Sequence, residues 1–155
     1  VEMVLARVKA DGEEQWAVTY GLGSWDSARA MHAGAGGSKL LAGGTSAGDE
    51  GGDDVYLVNV SSDGTQQWAR RYGGPADEAA YAVDRANDGG FLVAGSTTSY
   101  GAGGKDLYVL KVTQDGYGFG QPAGNIDDSH GVPPVEGEGE GEGAAEGEGE
   151  GAGGA

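Results

Sequence analysis

The chain has 155 residues, of which 34 are glycine, and a formal net charge of −16. This acidic balance argues against partners such as nucleic acid or anionic lipid, because their phosphate groups would be repelled. The absence of cysteine excludes disulfides, thiol catalysis and cysteine-based metal sites. The length suits one domain, and no apolar run is long enough to cross a membrane as a helix.

The chain repeats its own sequence at a fixed offset of 52 residues without a gap. Three short motifs recur in register: an Asp-Gly pair, a Gln-Trp-Ala triplet and a Tyr-Gly pair. Asp-Gly stands at 11–12, 63–64 and 115–116, Gln-Trp-Ala at 15–17 and 67–69, and Tyr-Gly at 20–21 and 72–73. A period near fifty is typical of a propeller blade, so it predicts an all-β fold of tandem four-stranded antiparallel blades.

Each unit contains four strand-like segments, which are clearest in the second unit. The first, at 56–60, alternates in the manner of a half-buried strand. Asp63-Gly64 follows it, a pair typical of a type I′ hairpin, and leads to the second segment at 66–72. A third segment is predicted at about 80–85. The fourth, at 91–95, is apolar on both faces and is expected to be covered on both sides.

One face of the first segment is apolar in all three units. Its residues are Val4, Ala6, Val8, Tyr56, Val58, Val60, Tyr108, Leu110 and Val112. A single blade cannot bury both of its faces, so stacking is expected, with Trp16 and Trp68 filling the space between neighbours. Two units and a fraction cannot close a ring of the usual four to eight blades. The prediction is therefore a partial β-propeller, an open arc with an exposed apolar end.

These patterns divide the chain into a repeat region and a tail. The boundaries are 1–120 for the propeller-type repeats, with units at about 3–54, 55–106 and a partial 107–120, and 121–155 for the tail. The repeats amount to about two blades plus one strand. The tail is rich in Pro, Gly and Glu, and its like charges and glycine entropy predict a disordered linker. Because the chain opens on Val1 in mid-pattern, we expect further propeller blades upstream.

The stretch from Ala86 to Lys111 carries a resemblance to a known repeat. With Asp88-Gly89-Gly90-Phe91 and Asp106-Leu107-Tyr108, it resembles the blade-type repeats of large bacterial and archaeal exported proteins, a seven-bladed-propeller-like family. The first unit departs from that pattern at Gly36-Gly37-Ser38-Lys39. The resemblance implies an extracellular or cell-surface protein without an assigned enzyme activity, and it transfers no catalytic residues. We therefore expect a non-enzymatic scaffold or binding segment whose ligand is a protein or a glycan.

Calcium is the one bound ion that the sequence suggests. Residues 101–109 resemble the nonapeptide of calcium-binding β-rolls, and residues 49–57 match it less well. The carboxylates of Asp49, Asp53, Asp54 and Asp106 would supply oxygen ligands for a hard cation. A β-roll needs its copies in tandem, however, and these lie 52 residues apart. The alternative is that Asp54 and Asp106 cap turns by accepting hydrogen bonds from nearby amides.

No catalytic residue is predicted. Gly104-Lys105 fails the phosphate-loop pattern, because Ser99 stands where the first glycine belongs. His32 and His130 have no partners that the sequence can place for a zinc site or a catalytic triad. Trp25 has no aromatic counterpart in the next unit and is therefore a candidate for a surface contact.

Two other functions stay open at this point. Propellers of quinone-dependent dehydrogenases also repeat a Trp-bearing motif, so the chain is alternatively a fragment of such an enzyme, which requires a central cofactor site and a metal. The second alternative is a calcium-stabilised adhesion module, which rests on the four aspartates named above.

Overall fold

A computed structural model describes residues 1–48, 52–119 and 126–127. Apart from a single 3₁₀ turn at Ala35–Gly37, its regular structure is entirely β, which confirms the all-β part of the predicted fold class. The strands are β1 Met3–Val8, β2 Glu14–Tyr20, β3 Asp26–Ala33, β4 Lys39–Thr45, β5 Asp54–Val60, β6 Gln66–Tyr72, β7 Glu78–Arg85, β8 Phe91–Thr97, β9 Asp106–Val112, β10 Gly118–Phe119 and β11 Ile126–Asp127.

The strands form three antiparallel sheets. Sheet 1 contains β1 and β2, sheet 2 has the order β11-β6-β5-β4-β3, and sheet 3 has the order β10-β9-β8-β7. Sheets 2 and 3 each combine the third and fourth strands of one unit with the first and second strands of the next. The sheets are therefore offset from the sequence repeat by half a unit. This differs from the expectation that the four segments of one unit form one sheet.

The offset arises where the chain crosses between sheets. The glycines that follow Tyr20 and Tyr72 end the second strand of a unit, and the chain then passes to a different sheet. The fourth strand, by contrast, pairs with the first strand of the next unit along its whole length, as Lys39–Thr45 does with Asp54–Val60. The longest run of regular pairing thus joins successive units.

Two glycines are required by the hairpins that the third and fourth strands form. The pairs β3–β4 and β7–β8 share a register shift at the same place in the repeat. A Cβ at Gly43 would lie 1.7 Å from the carbonyl oxygen of Ser27, and one at Gly95 would lie 1.9 Å from that of Ala79. Any side chain at these two positions would therefore force the hairpin apart.

Sheet 2 lies between the other two sheets and is covered on both faces. One buried cluster joins it to sheet 1 and contains Met3, Tyr20, Leu41, Tyr56, Val58, Val60 and Ala69. The other joins it to sheet 3 and contains Leu40, Ala42, Val55, Leu57, Tyr72, Ala80, Phe91, Val93, Tyr108, Leu110 and Val112. The side chains of β5 alternate between the two clusters, as expected of a strand in the middle layer.

The outer faces of sheets 1 and 3 expose apolar side chains whose counterparts one unit away are buried. Val4 is 63% exposed, whereas its counterpart Tyr56 is 1% exposed. Leu107 is 79% exposed, whereas its counterpart Val55 is fully buried. Leu92 is also exposed, so β8 is covered on one face only, unlike β4. The apolar end expected from the sequence is thus present at both ends of the stack.

Most of the predicted tail, 121–155, lies outside the described residues. The exception is β11, which pairs with β6 where the sequence predicted an unstructured linker. In the ranges that the structure covers, no helix is long and apolar enough to cross a membrane.

Candidate interaction surfaces

Two joints hold the three sheets together, and the same contacts recur in both. The first joint connects sheets 1 and 2, and the second connects sheets 2 and 3. The hydroxyl of Tyr20 donates a hydrogen bond to the carbonyl of Gly64, and the hydroxyl of Tyr72 donates to that of Gly116. Both tyrosines are buried. Each bond therefore ties a strand of one unit to the Asp-Gly turn of the next unit.

The two repeated tryptophans pack on the same turns. A Cβ at Gly64 would lie 3.0 Å from Cζ3 of Trp16, and one at Gly116 would lie 2.9 Å from Cζ3 of Trp68. The indole N–H of Trp68 also donates to the carbonyl of Gln114 at 3.1 Å. Both indoles are half-buried and lie between successive units, where the sequence places them.

The three Asp-Gly turns share one backbone conformation. Gly12, Gly64 and Gly116 have φ of 89°, 87° and 82°, which glycine adopts without steric cost. Each glycine N–H donates to the carbonyl three residues earlier, as Gly12 does to Lys9 at 3.0 Å. Glycine is thus the last residue of the turn, and a strand irregularity lies next to it. The predicted type I′ turn, in which glycine would be one of the two central residues, is therefore wrong.

The first of these turns lacks the indole contact of the other two within the described part of the chain. Among the described residues, nothing lies within 4 Å of the position that a Cβ on Gly12 would take. At Gly64 and Gly116 the same position is occupied by the indole of the preceding unit. Among the described residues, the turn at Gly12 therefore lacks the indole that packs on the equivalent turns at Gly64 and Gly116.

A buried acid begins the third strand in each joint. Asp26 and Glu78 are both 1% exposed. Oδ2 of Asp26 accepts a hydrogen bond from the amide of Leu22 at 3.1 Å, and Oε2 of Glu78 accepts one from the amide of Gly74 at 2.6 Å. These amides belong to the crossover loops between sheets, so the acids anchor the crossovers.

The two acids differ in how completely they are bonded. Oε1 of Glu78 accepts from the hydroxyl of Thr97 and from the amide of Ser99. Asp26 is one methylene shorter, and its Oδ1 is buried without a hydrogen-bond partner in the part of the chain that the structure describes. Thr45, the counterpart of Thr97, lies instead 3.4 Å from the hydroxyl of Ser24. The acid of the first joint is therefore less fully hydrogen-bonded than the acid of the second.

Asp54, one of the calcium candidates, belongs to the second joint. Burial raises the pKa of its carboxyl to about 6, the guanidinium of Arg71 opposes this shift, and Glu78 and Asp53 add to it. Oδ2 of Asp54 lies 3.7 Å from Nη1 of Arg71, whose side chain is itself buried. The protein thus supplies its own cation at this carboxylate.

The three calcium candidates that the structure describes, Asp53, Asp54 and Asp106, do not form one assembled group. Asp54 begins β5 in sheet 2 and Asp106 begins β9 in sheet 3. The amide of Asp53 donates to the Asp77 carboxylate at 3.1 Å. Across 1–48, 52–119 and 126–127, no three His, Asp or Glu side chains are placed to hold a metal ion. Asp49 lies outside these ranges, so calcium binding stays a prediction.

His32 makes a structural contact in the second joint. Its Nδ1 lies 3.3 Å from Oδ1 of Asp84, and its ring meets Phe91 edge-on with centroids 6.2 Å apart. His130 lies outside the described residues. Trp25 is 40% exposed, consistent with the surface contact that the sequence suggested for it.

An apolar cleft of about 510 Å³ lies beside β1. Residues lining it include Leu5, Val8, Trp16, Met31, Gly37 and Lys39. Sequence reasoning missed this cleft, because the repeat pattern does not reveal which edge of a strand lacks a partner. A signal was nonetheless present, since the first unit supplies only two strands before the first crossover.

Neither protein-family models nor curated proteins match this chain. The resemblance to blade-type repeats therefore stays a prediction from the sequence pattern.

Proposed function

We propose that the chain is a non-enzymatic scaffold or binding segment of an exported or cell-surface repeat protein, built as a partial β-propeller. The observation that carries this proposal is the recurrence of one joint. The same Tyr, Trp, Gly and acidic positions attach sheet 1 to sheet 2 and sheet 2 to sheet 3. Large side chains and buried polar groups that recur at a 52-residue interval are thus used to stack the sheets.

The open ends support the partial-propeller part of the proposal. Val4 and Leu107 are exposed at opposite ends of the stack, although their counterparts in sheet 2 are buried. Soluble proteins rarely leave such faces bare, so each end is suited to a further sheet. Further blades upstream would cover the outer face of sheet 1.

The ligand of this scaffold is a protein or a glycan, contacted by the loops at the sheet edges. Trp25 is the best-placed anchor, because it is the last residue of the crossover loop between β2 and β3 and is 40% exposed. Its amide donates a hydrogen bond to the hydroxyl of Ser46 at 3.1 Å, which holds the backbone in place. Aromatic side chains provide large contact area at low entropic cost. The acidic surface disfavours nucleic acid.

The proposal is tested by assaying the purified chain against hydrolase and dehydrogenase substrates and on a glycan array. We expect no turnover, and glycan binding that Trp25→Ala abolishes. Tyr81→Ala is the matched control, because Tyr81 is 48% exposed but stacks on Arg29 instead of lying beside a crossover loop. A robust turnover that a point change within the sheets abolishes would overturn the non-enzymatic assignment.

Calcium-stabilised adhesion is the second candidate, and one observation favours it. Oδ2 of Asp106 is buried without a hydrogen-bond partner among the described residues, next to the glycine-rich loop that starts at Gly101. A bound cation would satisfy that oxygen. Millimolar Ca²⁺ should then raise the melting temperature of the chain but not of Asp106→Asn. An equal response of both proteins would dismiss this candidate.

A further inference from the structure

We propose that the open edge of β1 is the docking site for a β-hairpin of another repeat unit, of the type formed here by β3–β4 and β7–β8. The proposal rests on the proposed role as a repeat scaffold, and it specifies which two strands the partner supplies. Three features of the described structure carry it: the pairing of β1, the cleft beside it, and the exposure of Met31.

The pairing of β1 differs from that of its two counterparts. β5 pairs with β4 on one edge and with β6 on the other, and β9 likewise pairs with β8 and β10. Among the described residues β1 pairs with β2 alone. Within the described ranges, sheet 1 thus lacks the two strands that the third and fourth segments provide in sheets 2 and 3. An open strand edge of this kind is a template for the addition of a further strand.

The cleft beside β1 lies where the third and fourth strands of a complete sheet would pack. The cleft of about 510 Å³ is bounded by Leu5 and Val8 on β1 and by Met31 on β3. Met31 is 52% exposed, whereas its counterpart Val83 packs against the core between sheets 2 and 3. A hairpin paired with β1 would cover Met31 as sheet 2 covers Val83.

The occupant must come from a repeat unit whose hairpin is not already engaged. In a second copy of this chain, β3–β4 and β7–β8 are part of that copy's own sheets 2 and 3. Residues 136–155 of the chain's own tail are unsuited, because they consist only of Gly, Glu and Ala, and residues 126–127 already pair with β6. A further repeat unit whose third and fourth strands are not yet part of a sheet would supply the hairpin.

The strand register in sheets 2 and 3 predicts which residue of the docking hairpin lies opposite Val4. Tyr56 pairs with Gly43, and Tyr108 pairs with Gly95. Val4 occupies the same place in the first unit, so the docking strand should place glycine opposite it. That glycine is required by the hairpin's own register shift, since a Cβ at Gly95 would lie 1.9 Å from a carbonyl oxygen.

A synthetic peptide spanning residues 75–98 of this chain provides the probe, because it contains β7, β8 and Gly95. Added to the purified full chain, it should bind at one to one and slow amide hydrogen exchange within Met3–Val8 at least tenfold. The peptide carrying Gly95→Val should not bind. Met31→Glu in the chain should weaken binding at least tenfold, because it places a charge beneath the hairpin. Leu107→Glu, on the outer face of sheet 3, is the matched control and should bind normally.

A second format covers the case in which the free peptide does not fold. The same segment joined to Val1 through a flexible Gly-Ser linker should protect the Met3–Val8 amides and lose that protection with Met31→Glu. No protection of these amides in either format, or binding that Met31→Glu leaves unchanged, would overturn the proposal. Neither result bears on turnover or on glycan binding, so failure here is distinct from failure of the proposed function.

Discussion

Replacing the glycine of an Asp-Gly turn by alanine should cost more where an indole lies on the turn than where it does not. Gly12 and Gly64 have nearly the same φ, 89° and 87°, and the same turn hydrogen bond. They differ in that Gly64 contacts Trp16, whereas no described residue lies within 4 Å of the Cβ position of Gly12. Gly12→Ala is therefore a matched control for Gly64→Ala.

The magnitudes follow from two separate costs. Alanine at positive φ loses about 1–2 kcal/mol, and both variants share this cost. At Gly64 the new Cβ would lie 3.0 Å from Cζ3 and 3.2 Å from Cη2 of Trp16, so the indole must shift. Overpacking of this kind costs about 1–3 kcal/mol. Gly64→Ala should thus lower the free energy of unfolding by about 1–3 kcal/mol more than Gly12→Ala does.

Urea unfolding followed by far-ultraviolet circular dichroism measures both variants. A double-mutant cycle with Trp16→Ala isolates the contact, because without the indole Gly64→Ala should cost no more than Gly12→Ala. Equal destabilisation by the two glycine variants in the wild-type background would refute the claim that Trp16 on this turn helps to hold sheets 1 and 2 together.

Two further predictions concern the joints. Tyr72→Phe removes the donor to the Gly116 carbonyl and should lower the free energy of unfolding by about 1 kcal/mol in urea titrations, and Tyr20→Phe should do the same at the first joint; no change would contradict the hydrogen bonds. Because burial raises the pKa of Asp54 to about 6 from 3.8, the folded state keeps a proton that the unfolded state releases. The free energy of unfolding should therefore fall as pH rises from about 4 to 6, and subtracting the curve of Asp54→Asn should reveal this component; identical slopes would contradict it.

Much of the local structure could be predicted from the repeat. The second strand was expected at 66–72 and is found as Gln66–Tyr72. The expected intercalation of Trp68 between units is also observed, because residues that recur at a fixed interval mark contacts that recur with it. The predicted type I′ turn was wrong. The glycine of an Asp-Gly pair suits the last position of a turn that ends in a strand irregularity as well as it suits a central position of a type I′ turn.

The roles of the acidic residues were less predictable. Asp54 was expected as a metal ligand or a turn cap, and it lies near Arg71 and Glu78 in a joint between sheets. No role was predicted for Glu78 or Asp26 from the sequence, although both are buried anchors of crossover loops. Their signal was their recurrence exactly one unit apart, at the start of the third strand.

The sequence by itself determined the β class, the 52-residue unit and the apolar faces, because each depends on residues close together in the chain. Only the tertiary structure decided how strands are shared among sheets. The fourth strand pairs with the first strand of the next unit. The sequence does not predict this pairing, because the alternation of apolar and polar residues along a strand is the same whichever strand lies at its edge. That pairing divides the chain into a two-stranded sheet and two larger ones, and it leaves β1 with the open edge and the cleft that carry the inferred docking site.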